Sequence, residues 1–218
     1  MKKILLAISF AIPLFVLIAV CVVFGECLLS VSTLKAKPAD IICWRGDSME
    51  FIGFKLSVPV FESVYGAPLL THTDIVIDED GTLRTSIQNE GVSESTVESR
   101  QSQFNMGVLL RNPSLTEYQI ESVLDTAYSL EGDYDWGGYN GQILDYLLRF
   151  PWMPEGRLFT TFLQSDDELY CSEYVALCFE SNTIGVSARE ASLTGPLDIY
   201  YYALDPDTGW EVMEVWEE

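Results

Sequence analysis

The chain contains one histidine and five cysteines, the residue types best suited to nucleophilic chemistry near neutral pH. His72 lies at the start of an alternating segment, Leu70-Thr-His-Thr-Asp-Ile-Val76, which reads as a β-strand. Cys171 lies in Leu169-Tyr-Cys-Ser-Glu-Tyr-Val175. Helical spacing of Cys171, Tyr174, Val175 and Cys178 predicts a helix that begins at this cysteine. A thiol at a helix N-terminus meets free N–H groups and the positive dipole end, which favour the nucleophilic thiolate. The Cys171 backbone N–H is also placed to serve one side of an oxyanion hole. The acidic run Asp166-Asp-Glu168 just upstream would raise the thiol pKa unless it faces water, and an imidazole beside the sulfur would offset it. The chemistry these residues suit is therefore that of a Cys–His pair.

The other cysteines divide by position. Cys21 and Cys27 lie in or beside an apolar N-terminal run, leaving Cys43 and Cys178 with Cys171 in the remainder. No C-x-x-C pair and no Cys/His spacing suited to zinc occurs, so neither a metal nor a cofactor is expected. In an exported protein three cysteines allow one disulfide and one free thiol, and Cys43 and Cys178 are candidates to face each other across a core.

The elements that position these residues follow from composition and pattern. The 218 residues carry 12 Lys+Arg against 33 Asp+Glu, a formal charge of -21. Such a chain lacks the clustered cations of a nucleic-acid binder. Its mean hydropathy of +0.16 also excludes a disordered acidic chain. The two properties separate along the sequence. Ile4–Gly25 is 22 residues without a charge, preceded by Lys2 and Lys3. At about 1.5 Å per residue this run spans a hydrocarbon core of roughly 30 Å, with its basic end kept inside. It is too long, and its exit too poor in small residues, for an ordinary cleaved signal. Residues 1–37 are therefore expected to form a transmembrane anchor (or, if cleaved, a signal) with its stalk. Residues 38–218 would then form one domain outside the cytoplasm, or a secreted one after cleavage. That domain holds 8 basic and 32 acidic side chains, a net of -24, read as a solvated acidic surface.

Within it, residues 40–44, 73–77, 82–88 and 105–110 read as strands, with a hairpin turn at Asp78-Glu-Asp-Gly81. Residues 45–70 read as loop. A capping box at Ser114-Leu-Thr-Glu117 starts a helix that Gly132 closes. Further helices are expected over 141–149 and 169–179, followed by an apolar tyrosine-rich segment at 197–204. Strands and helices are segregated, which makes the class α+β.

Read in order, Pro38-Ala-Asp-Ile-Ile42, His72-Thr-Asp-Ile-Val76, Gly132-Asp-Tyr-Asp-Trp136 and Tyr170-Cys-Ser-Glu-Tyr-Val175 resemble the circularly permuted papain-like cysteine hydrolases. The resemblance is to the YiiX-like group of the NlpC-type superfamily, relatives of lecithin retinol acyltransferase. It covers about residues 38–200. His72 precedes Cys171 by 99 residues, which is the permuted order. The resemblance implies an antiparallel sheet packed against helices, with Cys171 attacking an acyl carbon through a thioester intermediate. It also implies a polar ring-orienting residue on the strand paired with the histidine strand, where Gln88 is the first choice and Ser86 and Glu90 are alternatives. Tyr170 and Asp135, beside the motif residues, are the substrate-binding positions. Ala39 and Asp74 stand where the family has glycine. Facing inward, Asp74 could hydrogen-bond near the site; strand alternation, with Thr73, Ile75 and Ile77 on the face opposite Asp74 and Val76, favours an outward position.

The expected activity is that of an amidase or peptidase, or an acyltransferase. Cell-wall peptides and lipid-linked or other N-acyl amides are the substrate classes, and no nucleic acid is involved. Trp136, Tyr139, Phe150, Trp152, Phe159 and Phe162 are candidates to line an apolar pocket. The competing expectation is an inactive binding or structural module on the same fold.

Overall fold

A computed structural model describes residues 34–52, 54–65, 69–147, 158–165 and 167–217. The apolar run Ile4–Gly25, Cys21, Cys27, Phe150, Trp152 and Asp166 lie outside the described residues. Among the described residues no helix is long and apolar enough to cross a membrane.

The class is α+β, built on one antiparallel sheet of six strands. In chain order these are β1 (Ile41–Arg45), β4 (His72–Val76), β5 (Thr82–Ile87), β6 (Gly91–Thr96), β7 (Met106–Arg111) and β10 (Glu211–Glu217). Their spatial order is β10-β7-β1-β4-β5-β6. A separate hairpin joins β2 (Ser48–Phe51) to β3 (Phe54–Ser57), and a two-residue parallel pair joins β8 (Asp133–Tyr134) to β9 (Glu168–Leu169). The helices are α1 (Val58–Tyr65), α2 (Val97–Gln101), α3 (Glu117–Ser129), α4 (Trp136–Leu147), α5 (Leu158–Leu163), α6 (Cys171–Glu180) and α7 (Pro196–Leu204).

The central strands are buried on both faces, so alternation sorts their residues between two cores rather than between core and water. Ile41, Cys43, Ile75, Ile77, Val108 and Leu110 pack against Val123 and Ala127 of α3, Tyr174, Val175, Cys178 and Phe179 of α6, and Leu197 of α7. On the opposite face Ile42, Trp44, Val76, Leu83 and Leu109 meet Val97 of α2 and Trp216 of β10. This second core overturns the outward placement of Asp74. All five residues of β4 are buried, and Asp74 is 0% exposed.

Three local expectations also change. Residues 45–70 hold a hairpin and α1, because Met49↔Leu56 and Glu50↔Lys55 pair across β2 and β3 over a stretch too short to show a period. The α3 capping box is formed by Thr116 and Gln119, not by Ser114 and Glu117. Asn112 explains the shift, since its side-chain oxygen accepts from both the backbone N–H and the hydroxyl of Ser114. The acidic end is the edge strand β10, whose glutamates mask a strand that buries Trp216.

The parallel pair β8–β9 brings two distant sequence motifs together. Asp133 and Tyr134 align with Glu168 and Leu169, and the Asp135 N–H donates to the Leu169 carbonyl at 3.2 Å. Residues 132–136 therefore lie beside the start of α6. Gly138 makes this approach possible: a Cβ there would lie 2.4 Å from Asp135 Oδ2 and 2.8 Å from the Tyr170 ring. Gly138→Ala is expected to lower stability by about 1–3 kcal/mol through overpacking, read as a lower denaturation midpoint with unchanged slope.

Candidate active site

The site forms where the sheet opens. The β4–β5 ladder contains two pairs, Ile75↔Arg84 and Val76↔Leu83, and the strands part toward His72. At the gap the Thr85 hydroxyl donates to the Thr73 carbonyl at 2.7 Å, replacing a ladder bond with a side chain. The first residue of α6, Cys171, interacts here with both Thr73 and His72. Ser172 Oγ, donating to the Thr194 carbonyl at 2.7 Å, anchors the same helix turn from its other side.

His72 is held from three directions. Its ring stacks on Phe104 with centroids 5.6 Å apart. Its Nε2 lies 3.3 Å from Asp74 Oδ1, which leaves Nδ1 as the nitrogen for the thiol. Asp74, two residues along the same strand and on the same face, also accepts from Trp44 Nε1 at 2.6 Å and from Arg100 Nη2 at 3.2 Å. The ring-orienting contact thus falls to Asp74, not to Gln88, Ser86 or Glu90. Gln88 lines the same cleft as His72, but its side chain pairs with the Tyr134 hydroxyl. Ser86 is fully buried and its hydroxyl makes no hydrogen bond, while Glu90 is exposed in the β5–β6 turn.

The electrostatics distinguish one thiol from the others. Burial by itself would raise the Cys171 pKa, but the His72 imidazolium and the Thr73 N–H outweigh it and hold the thiol below its ordinary value. For His72, burial opposes the charged ring, and the Asp74 carboxylate and Cys171 sulfur overcome it, so the imidazolium is pushed up to about 9. Burial would likewise raise Asp74, and His72 and Arg100 together hold it below the usual carboxylate range. These directions describe a thiolate–imidazolium pair backed by a carboxylate. Burial instead pushes Cys43 far up and Cys178 up to about 12, the state of inert core thiols. All three described cysteines are free, so Cys43 and Cys178, candidates to face each other, are not joined by a disulfide.

No protein-family model, curated protein or solved structure matches the chain. The chemistry is therefore read from the site's own geometry.

Two cavities meet at the dyad. A cleft of about 340 Å³ is lined by His72, Gln88, Arg100, Tyr134, Glu50 and Lys55, among others. An apolar slot of about 30 Å³ reaches Cys171 between Met49, Leu69, Leu70, Ile143 and Pro196. Met49, Thr71 and Tyr139 border both, so they form one continuous wall. Cys171 thus faces an apolar recess and His72 a polar one. Of the aromatic residues expected to line a pocket, Tyr139 does so, whereas Phe162 is 85% exposed. Trp136 packs edge-on against Tyr134 and Tyr139.

The two expected substrate-binding residues are turned inward. Tyr170 is 1% exposed and its hydroxyl donates to the Ser192 carbonyl at 2.6 Å. Asp135 is fully buried and caps α4, accepting from Gly138 N at 2.8 Å and Ser165 N at 3.1 Å. Both shape the start of α6 rather than a wall of either cavity.

The acidic surroundings of the thiol are less hostile than the sequence suggests. Asp167 is exposed to water. Glu173, in the first turn of α6, is buried and pushed up to about 8 by burial and by Asp135, toward its neutral form. Sequence reasoning missed Trp44, Arg100 and Thr73, and favoured the outward of two placements for Asp74. For Asp74 a signal existed, because His-x-Asp on a strand puts both side chains on one face. Arg100 and Trp44 reach the site only through the tertiary fold.

Proposed function

We propose that this protein is a cysteine hydrolase of amide bonds, working through a thioester on Cys171 on a permuted papain-like, NlpC-type fold. What carries the reading is the Cys171 thiol beside a His72 ring whose other nitrogen is held by buried Asp74. The order of His72 before Cys171, and the packing of α6 on an antiparallel sheet that holds the histidine, support the permuted fold. The apolar run Ile4–Gly25 supports an anchored domain acting outside the cytoplasm.

In this reaction the Cys171 thiolate attacks the carbonyl carbon, an Sγ–C bond forms, and the carbonyl oxygen becomes an oxyanion near the free Cys171 N–H. The C–N bond then breaks and the leaving nitrogen takes the proton of the His72 imidazolium. Water next attacks the thioester, giving its proton to neutral His72, and the sulfur departs as thiolate. The leaving amine must therefore lie on the His72 side, in the polar cleft, and the acyl group's side chain in the slot. A slot of about 30 Å³ suits a compact apolar group. This favours peptide amides, cell-wall peptides among them, over amides of long acyl chains.

The test is mass spectrometry of the full chain after incubation with peptidoglycan fragments, short apolar peptide amides and long-chain N-acyl amides. A thioester adduct mapped to Cys171 with the short substrates, absent in His72→Ala, is the expected result. An adduct formed equally without His72, or thiol-reactive probes that leave Cys171 unlabelled in the folded protein, would return the chain to a binding or structural module.

A further inference from the structure

Resting on that reading, we infer that Arg100 is a positioning residue: it is the permanent counter-cation of Asp74, keeping the buried carboxylate charged while His72 passes its proton to and fro.

Three donors share Asp74. Oδ2 accepts the Trp44 indole N–H, and Oδ1 accepts both His72 Nε2 at 3.3 Å and Arg100 Nη2 at 3.2 Å. Asp74 is 0% exposed and its face of β4 belongs to the core of Trp44, Val76 and Leu83. A carboxylate so placed persists only with a counter-charge. His72 cannot be that charge throughout, because it becomes neutral each time the leaving group takes its proton. Arginine stays protonated at any relevant pH and presents N–H groups in a fixed plane.

Arg100 is itself 5% exposed, and its Nε is buried with no acceptor. A side chain retained only for packing or for its own hydrogen bonds would not keep an unsatisfied N–H in the interior. Its Nη1 contact to Gln103 Oε1, at 3.4 Å, is long, so the Asp74 contact is the short one. Thr96, which caps α2 by accepting from Ser99 N at 3.1 Å, fixes the short helix that carries it.

The charged and titratable groups around His72 come from every neighbouring element. They are Asp74 on its own strand, Arg100 on α2, Cys171 on α6, Tyr134 and Tyr139 beside the cleft, and Glu50 and Lys55 on the hairpin. Of these Arg100 is the cation that shares an oxygen with the ring. Removing it leaves the imidazolium as the sole partner of Oδ1, so the ring should hold its proton to higher pH and release it less readily.

The single histidine makes this measurable without a substrate. The full chain, purified without a histidine tag and labelled with ¹³C at His Cε1, is titrated by NMR. The wild-type midpoint is expected near 9. Arg100→Gln should raise it by at least about 0.5 pH unit, Arg100→Lys should leave it near wild type, and Asp74→Asn should lower it. With substrate, Arg100→Gln should reduce kcat by about 10-fold with KM nearly unchanged.

A midpoint in Arg100→Gln that stays put or falls, or a rise in Arg100→Lys as large as in the glutamine variant, overturns the inference while leaving the dyad intact. A higher KM with an unchanged midpoint does so too, and would make Arg100 a substrate contact. A wild-type midpoint near the ordinary 6.5, unaffected by Cys171→Ala, overturns the dyad and the inference together. Should Arg100→Gln fail to fold, the Asp74 ¹³Cγ signal of the wild type decides: it must remain that of a carboxylate above the His72 midpoint, and protonation there overturns the inference.

Discussion

Cys171→Ala is expected to abolish amide hydrolysis, with a loss of at least about 10⁴-fold in kcat/KM and no acyl adduct on the protein. The size follows from the mechanism: without the sulfur there is no thioester, and water must attack the amide directly. Cys171→Ser should be nearly as inactive, because a hydroxyl does not ionise beside the imidazole as the thiol does and is the weaker nucleophile. The control is Cys178→Ala on the same helix. Cys178 is fully buried with its thiol pushed up to about 12, so its loss should lower stability and leave the chemistry in place. Rates of hydrolysis and of iodoacetamide labelling, measured on both variants, check this. Comparable labelling lost from Cys178 and Cys171 would mean that α6 presents no special thiol.

Asp74→Asn should produce the second-largest effect, a fall of about 10²–10⁴-fold at pH 7 with an altered pH profile. The sign is fixed by which charges remain. In the wild type the productive pair, thiolate with imidazolium, exists above the lowered Cys171 value and below the His72 value of about 9. Activity should thus rise on the acid side as Cys171 loses its proton and fall on the basic side near pH 9. An amide at position 74 removes the carboxylate that holds the ring charged, while burial continues to oppose that charge. The His72 value should drop, Cys171 should lose its partner and rise, and the window between them should close. The check is kcat/KM from pH 5 to 10. A basic limb that stays near 9 in Asp74→Asn would show that another group holds the ring.

The contrast with Arg100 is informative because both residues touch the same network from opposite sides. Loss of Asp74 and loss of Arg100 should move the His72 midpoint in opposite directions, which a general loosening of the site would not do.

Much of the local structure was legible in the amino-acid order. β1, β4, β5 and β7 follow from short apolar or alternating runs, and α6 from the spacing of Cys171, Tyr174, Val175 and Cys178. The dyad partners were legible because the chain has one histidine, and because a helix N-terminus singles out one thiol by its dipole. The failures cluster where sequence-local rules assume a solvent side. Alternation favours an outward Asp74, because Thr73, Ile75 and Ile77 share the opposite face of the strand. In β4 both faces are dry, and an inward charge survives because Trp44 and Arg100 come from β1 and α2 to meet it. Gln88 was favoured because it follows the strand next to the histidine, yet β4 and β5 part before reaching it.

The sequence alone determined which two residues could form a nucleophile and its base, the α+β class, and the separation of an apolar N-terminal run from an acidic remainder. These rest on residue type and on periodicities of two and 3.6, which are local properties. Only the tertiary structure decided which carboxylate orients the ring, which thiols are inert, and that Tyr170 and Asp135 support the site from within. Ionisation in a buried site depends on desolvation and on charges within a few ångströms. Here those charges come from residues 72, 74, 100 and 171, which only the folded chain brings together.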